Sequence, residues 1–316
     1  MKSFHRGNTL FLTTWVLLGC LAFFSQGCST LSKVTHRFTS LGTKGSLQDL
    51  KKKVGVMPLV NMTEYKEALD LGPLESCINE RLVSSCTGII ITAREKAGAS
   101  FLADPPKKAS GTMDTMAMAL IAREEGFNLI LRPILTKVHH EKPTSWWNWL
   151  IKDEDLITMT IRMEIYDTHT GAEIFHDNFM EEQDITKVET KELPVPQIMA
   201  LPDFEVMSSK LAKTMANKIS NNIDAFPWKG FLVASDGKTG FLSCGSSLGL
   251  KKGQELSLSK DLEVLTGYDG NQYILPGPVV DTVKVVELGP NQAKVVSTSE
   301  NTLVKGDVVQ ALASPK

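Results

Sequence analysis

Hydrophobic positions fall into three regimes along the chain, and each predicts a different kind of structure. Leu10 to Phe24 is a mainly apolar run behind Lys2 and Arg6, and it closes on Ser25-Gln26-Gly27-Cys28. A spanning helix needs about 20 apolar residues, so this run is short for a permanent anchor and has the layout of a cleaved export signal. Residues 29–48 are rich in Ser and Thr with little apolar periodicity, which predicts a flexible tether. From Lys51 the pattern becomes that of a folded protein.

Val54-Gly55-Val56-Met57-Pro58-Leu59-Val60 is a nearly continuous apolar run, as expected of a strand covered on both faces. Pro73 suits a first helical turn, and Leu74, Ile78 and Leu82 follow at i+4. Gly88 to Thr92 reads as a second buried strand, after which Ala103-Asp104-Pro105-Pro106 breaks the chain into loop. A second helix is expected with Met113, Met116, Ala117, Leu120 and Ile121 on one face, Asp114 near its positive end and Gly126 at its stop. Phe127 to Val138 is a strand in which Pro133 implies a bulge or an unpaired side. Ile157, Met159, Ile161, Met163 and Ile165 alternate with polar residues, turn at Asp167-Thr168-His169-Thr170-Gly171, and return through Ala172 to Met180 as a hairpin. Pro202 and Asp203 open a long helix carrying Phe204, Met207, Leu211, Met215, Ile219 and Ile223 on one stripe, and Pro227 ends it.

Beyond Gly230 the chain shows short strands between Gly and Asp turns: Phe231 to Ala234, Thr239 to Ser243, Glu255 to Ser259, Val279 to Glu287, Gln292 to Ser297 and Asp307 to Leu312. No helix signal remains, so a small closed or nearly closed β-barrel is expected. The fold class is α+β: an αβ layered domain over 51–228, in the order strand, helix, strand, helix, three strands, helix, then an all-β barrel domain over 229–316.

Composition narrows the function. The balance of 34 basic against 36 acidic side chains leaves no net basic field for a polyphosphate partner, which disfavours nucleic acid. The five cysteines include no C-x-x-C pair or zinc-spaced ladder, so no metal site is expected. Walker, G-x-S-x-G, H-E-x-x-H and G-x-G-x-x-G sequences are absent, and neither an enzyme nor a cofactor is expected.

Gly27 directly before Cys28 resembles a bacterial lipobox, in which the thiol receives a diacylglyceryl group and becomes the new N-terminus. Cys28 is the expected lipid attachment site, which makes residues 1–27 a lipoprotein signal peptide and 28–50 a lipidated tether. A rival stands at Leu17-Leu18-Gly19-Cys20, where cutting would leave Leu21 to Phe24 as an apolar stub. Two acyl chains have the anchoring strength that one lacks. By resemblance to lipoprotein sorting rules, Ser29 rather than Asp after the cysteine implies the periplasmic face of the outer membrane.

The strand Val54 to Val60 running into Asn61-Met62-Thr63, followed by helix, strand, helix and a long hairpin, resembles the curli-secretion lipoprotein family and the N-terminal domain of the Tol translocation protein. Gly240-Phe241-Leu242-Ser243-Cys244-Gly245-Ser246-Ser247-Leu248-Gly249-Leu250-Lys251-Lys252-Gly253-Gln254, with Val304-Lys305-Gly306-Asp307-Val308-Val309, resembles the last domain of flagellar assembly protein T. These resemblances imply a non-catalytic envelope protein that assembles or stabilises a flagellar-ring-like or secretion-like machine by binding other envelope proteins, with a homo-oligomer left open. Flagellar assembly protein T is typically secreted without lipid and has an additional N-terminal domain, which sets this chain apart. A curli-type pore subunit and an activator of a cell-wall synthase are the alternative readings.

Residue by residue, most candidate chemistry reads as structure. His139 and His140 diverge if their strand continues, His169 sits in a turn shaped by Asp167 and Gly171, and His176 beside Asp177 could pair across the hairpin. Asn61-Met62-Thr63 fits a glycosylation sequon, but a strand-to-loop turn is the better reading. Cys77 and Cys86, nine residues apart on one helix, cannot bridge, so free and mostly buried thiols are expected there and at Cys244. The unusual feature is Trp146-Trp147-Asn148-Trp149-Leu150-Ile151 between two strands. Capped by Ser145, one helical turn would place Trp146, Trp149 and Leu150 together, and Trp146, Trp147 and Trp149 are the candidate partner-binding residues. Packing over the domain itself and membrane contact are the other options, and Asp153-Glu154-Asp155 argues against lipid.

Overall fold

The computed structural model describes residues 50–66, 68–92, 99–141, 155–185, 194–268 and 270–312. Cys20, Cys28, the tether and Trp146, Trp147 and Trp149 lie outside the described residues, all of which belong to one compact unit, Thr43–Lys316. Its first part contains β1 (Lys53–Val56), β2 (Val60–Asn61), α1 (Gly72–Ser85), β3 (Ile89–Thr92), α2 (Ser100–Ala103), α3 (Thr115–Glu124), β4 (Leu129–Glu141), β5 (Asp155–Asp167), β6 (Glu173–Ile185), α4 (Val195–Ile198) and α5 (Pro202–Ala225). The sheet runs β3-β1-β4-β5-β6, with β2 also beside β4. β1 is parallel to β3 and β4, and β4, β5 and β6 are antiparallel.

The single strand expected over Val54 to Val60 is two strands. Pro58 cannot donate to a ladder, and pairing resumes only at Val60, opposite Ile134. Pro133 falls in the resulting gap, between the β4 residues paired with β1 and those paired with β2. Its unpaired side is therefore as expected, while the register shift in β4 comes later, between Leu135 and Lys137.

Alternation sorts the two faces of the sheet. Val54, Val56, Leu131, Met159, Ile161 and Met163 share one core with Leu74, Ile78 and Leu82 of α1 and the whole expected stripe of α5. Ile91, Ile130 and Tyr166 meet α2 through Phe101 and Leu102, and α3 through Met118 and Ala122. Helix α3 is rotated from the sequence expectation. Leu120 and Ile121 are 45% and 39% exposed, whereas Met118, Ala119 and Ala122 are fully buried. Its small residues let the helix backbone approach the β5–β6 turn, where a Cβ at Gly171 would lie 3.3 Å from the Met116 Cα. Its start is as expected, with Asp114 accepting from the Ala117 amide at 3.0 Å.

The second part is a closed barrel of β7 (Lys229–Asp236), β8 (Thr239–Leu242), β9 (Glu255–Thr266), β10 (Gln272–Leu288), β11 (Ala293–Ser297) and β12 (Val308–Ala311), in the order β10-β11-β8-β7-β12-β9. Leu232, Leu242, Leu256, Leu258, Val283 and Val295 are among the buried residues that form its core. A 3-10 turn at Ser246–Leu248 interrupts the all-β pattern.

Strands β9 and β10 run well beyond their expected ends. β9 pairs with β12 only over Leu256–Ser259, and β10 with β11 only from Val283, yet the two remain paired with each other out to Thr266 and Gln272. They leave the barrel as a two-stranded ribbon whose register shifts around Pro276 and Val279. Pro276-Gly277-Pro278 has a loop-like composition, but a Cβ at Gly277 would sit 2.0 Å from the Lys260 carbonyl oxygen, and the glycine lets the strands pass.

The thiols of Cys77, Cys86 and Cys244 are free, the first two half-buried and the third buried. Cys86 is the C-cap residue of α1, so that helix stops just short of it. Among the described residues no helix is long and apolar enough to cross a membrane.

Candidate functional site

The turn between β5 and β6 forms as its residues predict, with the Gly171 amide donating to the Asp167 carbonyl at 2.9 Å and the His169 amide to the Asp167 side chain at 3.1 Å. It does not face solvent. Asp167, Thr168 and His169 are all buried, and the Thr168 hydroxyl donates to the Phe127 carbonyl at 2.6 Å. The turn is covered by α3 on one side and by the barrel on the other.

Five charged or titratable side chains converge there from four elements. Lys229, at the start of β7, donates to both carboxylate oxygens of Asp167 at 3.1 and 3.0 Å. Arg123, from the last turn of α3, donates through Nε to the Thr168 carbonyl at 3.0 Å and also to the His169 carbonyl. Its Nη1 reaches Asp261 Oδ2 at 3.1 Å, and the other oxygen of Asp261 lies 2.7 Å from His169 Nε2. Phe231 lies close to both, with the Arg123 Cζ 5.3 Å and the His169 ring 6.4 Å from its centroid.

The electrostatics follow from burial opposed by pairing. Burial pushes the Asp261 carboxyl upward, but the His169 hydrogen bond and the Arg123 charge outweigh it and hold the pKa below the usual carboxylate range. Burial likewise draws the Arg123 pKa down against the pull of Asp261. Asp307, nearby on the barrel side, is pushed up by burial, and its carboxylate accepts from the Val304 amide at 2.9 Å. The side-chain bonds of Asp167, His169, Lys229 and Asp261 run to one another, so the cluster joins sheet to barrel.

A glycine and an asparagine complete the junction. Gly126 has φ +76°, and a Cβ there would lie 2.1 Å from the Ser243 carbonyl oxygen of the barrel. The Ser243 hydroxyl donates to the Arg123 carbonyl at 2.9 Å, and the Asn128 side-chain Nδ2 donates to the Lys229 carbonyl. A cleft of about 730 Å³ opens beside this junction, lined by Glu124, Ser243, Asn291 and Gln292. Lys53 also lines it, but its ammonium donates to the Glu125 carbonyl and lies 4.1 Å over the Phe127 ring.

His169 sits in the turn expected of it and has a further role there. It is also 2% exposed and hydrogen-bonded to a carboxylate 92 positions away, which a turn residue does not announce. Asp261 carried no signal in the sequence at all. His139 is exposed and His140 half-buried, on opposite faces of β4 as expected. His176 pairs with Glu173 at 2.7 Å and not with Asp177, which takes Lys218. Asn61 accepts from the Thr63 amide at 3.0 Å and hydroxyl at 2.8 Å, the turn expected of that segment. Among the described residues no three His, Cys, Asp or Glu side chains converge as a metal site.

A separate buried carboxylate sits on the sheet. Glu164 lies 3.2 Å from Arg132 and 3.1 Å from Arg162, and it accepts from the Tyr166 hydroxyl at 2.7 Å. Burial, reinforced by Glu164, pushes the Tyr166 pKa far up. At the opposite end of β5 from the clamped turn, β4 and β5 part at the Glu141–Leu156 pair. Residues 142–154, which carry the three tryptophans, connect the strands there.

No protein-family model and no curated protein matches the chain. Solved structures similar to it include the hypothetical protein CT253 from Chlamydia trachomatis, at 12% identity and TM-score 0.39 over 56% of this chain and 99% of that one. Lipoprotein GNA1162 from Neisseria meningitidis is similar at 14% identity and TM-score 0.29, covering 55% and 99% of the two chains. A PelC dodecamer from Paraburkholderia phytofirmans is similar at 12% identity and TM-score 0.29, covering 52% and 87%. Lipoproteins are thus among the similar structures, at TM-scores too low to assign this chain a fold family or a function.

Proposed function

We propose that the chain is a lipid-anchored scaffold on the periplasmic face of the outer membrane, which helps assemble or stabilise an envelope machine by binding its proteins. Cys28 carries the lipid, and Trp146, Trp147 and Trp149 anchor the partner. The observation that carries this reading is the division of labour along the β4–β6 hairpins. The β5–β6 turn is occupied by the barrel, while the tryptophan segment is rooted at the far end, beyond Glu141 and Leu156. An aromatic cluster on an insertion presents an anchor without altering the core beneath it. The order of elements and the glycine turns that resemble curli-secretion, Tol and flagellar assembly proteins support an envelope machine of secretion or flagellar-ring type.

Two observations favour the scaffold over a pore. The barrel core is packed with leucine and valine side chains, and Met159, Ile161 and Met163 of β5 lie beneath α1 and α5. A barrel filled with side chains lacks the polar interior of a channel, and β5 turns this face to helices rather than to lipid.

Crosslinking in living cells tests the reading. Lipidated protein should be recovered in the outer-membrane fraction with crosslinked envelope proteins, and Cys28→Ala should release it into the soluble fraction. Recovery of Cys28→Ala in the membrane, or ion conductance of the purified protein in bilayers, would contradict it.

A further inference from the structure

The ribbon of β9 and β10 is an arm whose attachment to the rest of the molecule is concentrated in a few bonds. Beyond Ser259 and before Val283 neither strand pairs with a barrel neighbour, and a two-stranded hairpin alone is marginal in water. Hydrogen bonds hold it on the sheet side at its tip, where Lys108 also donates to the Asn271 side chain, along β10 and at Asp261. The Ile274 amide donates to the Thr170 carbonyl at 2.9 Å, Lys108 donates to the Gly270 carbonyl at 3.2 Å, and Asp261 takes both Arg123 and His169. Only the last reaches the buried Arg123 and His169 side chains. The barrel's own root on the sheet is separate, through Gly126, Asn128, Ser243, and Lys229 with Asp167.

We propose that the ribbon is a latched strap: the Asp261 carboxylate, gripping Arg123 and His169, holds it closed across the β5–β6 turn, and loss of that grip lets the ribbon lift while the barrel stays rooted. The position of Asp261 suits this role. It stands opposite Pro276, at the register shift where the ribbon leaves the barrel, so the latch acts at the hinge end of the arm. The far end carries Tyr268, fully exposed, with Leu262 and Val264 exposed along β9. Lifting would uncover Ile274, which is buried when the strap is closed. The other charges near the latch are already engaged: Asp167 with Lys229, Glu124 with Lys305, Asp307 with the Val304 amide, and Lys260 with the Thr302 carbonyl. None can replace Asp261 without breaking a bond of its own.

Hydrogen exchange of the full chain, read peptide by peptide, tests the latch independently of the proposed function. In Asp261→Asn the amides of residues 262–275 should exchange roughly tenfold faster, a change of about 1.4 kcal/mol in opening, while α5, β8 and β11 keep their parent rates. Unchanged exchange in the ribbon, or equal acceleration everywhere, would overturn the proposal. Should that variant fail to fold, His169→Ala decides, because it removes one donor and leaves Arg123 paired. It should give a smaller acceleration confined to the same residues, and acceleration spread over the chain would overturn the latch.

Discussion

Helix α5 and the barrel both pack against the same sheet, one through a dry stripe and the other through paired charges. Under α5, Met207, Leu211, Met215, Ile219 and Ile223 share one hydrophobic core with the methionines and isoleucines of β5. At the barrel, Asp167, His169, Arg123, Lys229 and Asp261 take the corresponding places. The first interface is non-directional and tolerates small shifts. The second depends on donors and acceptors in fixed positions: Lys229 on Asp167 orients the barrel, and Asp261 on Arg123 and His169 holds the ribbon.

The largest effect that would sharpen this contrast is expected in the dry interface. Ile219→Ala or Leu211→Ala should lower stability by about 2–5 kcal/mol, because each deletes fully buried methyl groups and leaves a cavity. Urea unfolding should show a lower midpoint with the slope unchanged. A loss below about 1 kcal/mol would mean that α5 is packed more loosely than its burial implies.

In the charged interface, Asp261→Asn should cost about 1–2 kcal/mol in the opening of the ribbon, less than the roughly 3–5 kcal/mol of a fully buried pair because the Asp261 side chain is 24% exposed, and should move the global urea midpoint far less than Ile219→Ala does. A double-mutant cycle pairing Asp261→Asn with Arg123→Met should reveal coupling, whereas one pairing Leu211→Ala with Asp261→Asn should be additive. Additivity in the first cycle would dissolve the comparison.

These two interfaces also differ in how much of them could be read from sequence. The α5 stripe repeats every three or four residues, and every member expected to be buried is buried. The hairpin, its turn and the closed barrel were legible for the same reason of period and punctuation. The charged junction was not. Asp167 and His169 have the composition of a solvated turn, and nothing local to Asp261 indicates a partner 92 residues away. The α3 face was misjudged because its buried side is built from Ala119 and Ala122, whose small size permits close approach but gives little hydrophobic signal. The ribbon was missed because Pro276 and Pro278 look like strand breakers in a place where the strands merely shift register.

Acid should separate the interfaces in a graded way. The Asp261 pKa is lowered on folding, so its contribution is fully present above the unfolded value of about 3.9 and is lost as pH falls through the lower folded value. Asp307, raised by burial, works in the opposite sense and is better tolerated protonated, which softens the acid transition. Exchange in the ribbon should therefore rise below about pH 4 before the amides of α5 do. Simultaneous loss would indicate that the ribbon has no independent opening.

The smallest effect concerns the thiols. Burial pushes Cys244 up to about 12 and Cys86 up to about 11, so at pH 8 both are protonated and slow to react. Cys244, inside the barrel core, should be labelled by a maleimide only on unfolding, whereas the half-buried Cys77 should be labelled first. Equal rates for the three would mean that the barrel opens as readily as the surface of α1.

The central claim is that the end of the sheet away from the barrel is the binding end, and the triple variant Trp146→Ser, Trp147→Ser, Trp149→Ser tests it most directly. Calorimetry should show a melting temperature within a few degrees of the parent, as surface changes of about 0.5 kcal/mol allow, together with loss of the crosslinked envelope partner in cells. A variant that melts far below the parent, in line with about 3–5 kcal/mol for each buried aromatic removed, would contradict the claim and make the tryptophans part of the core.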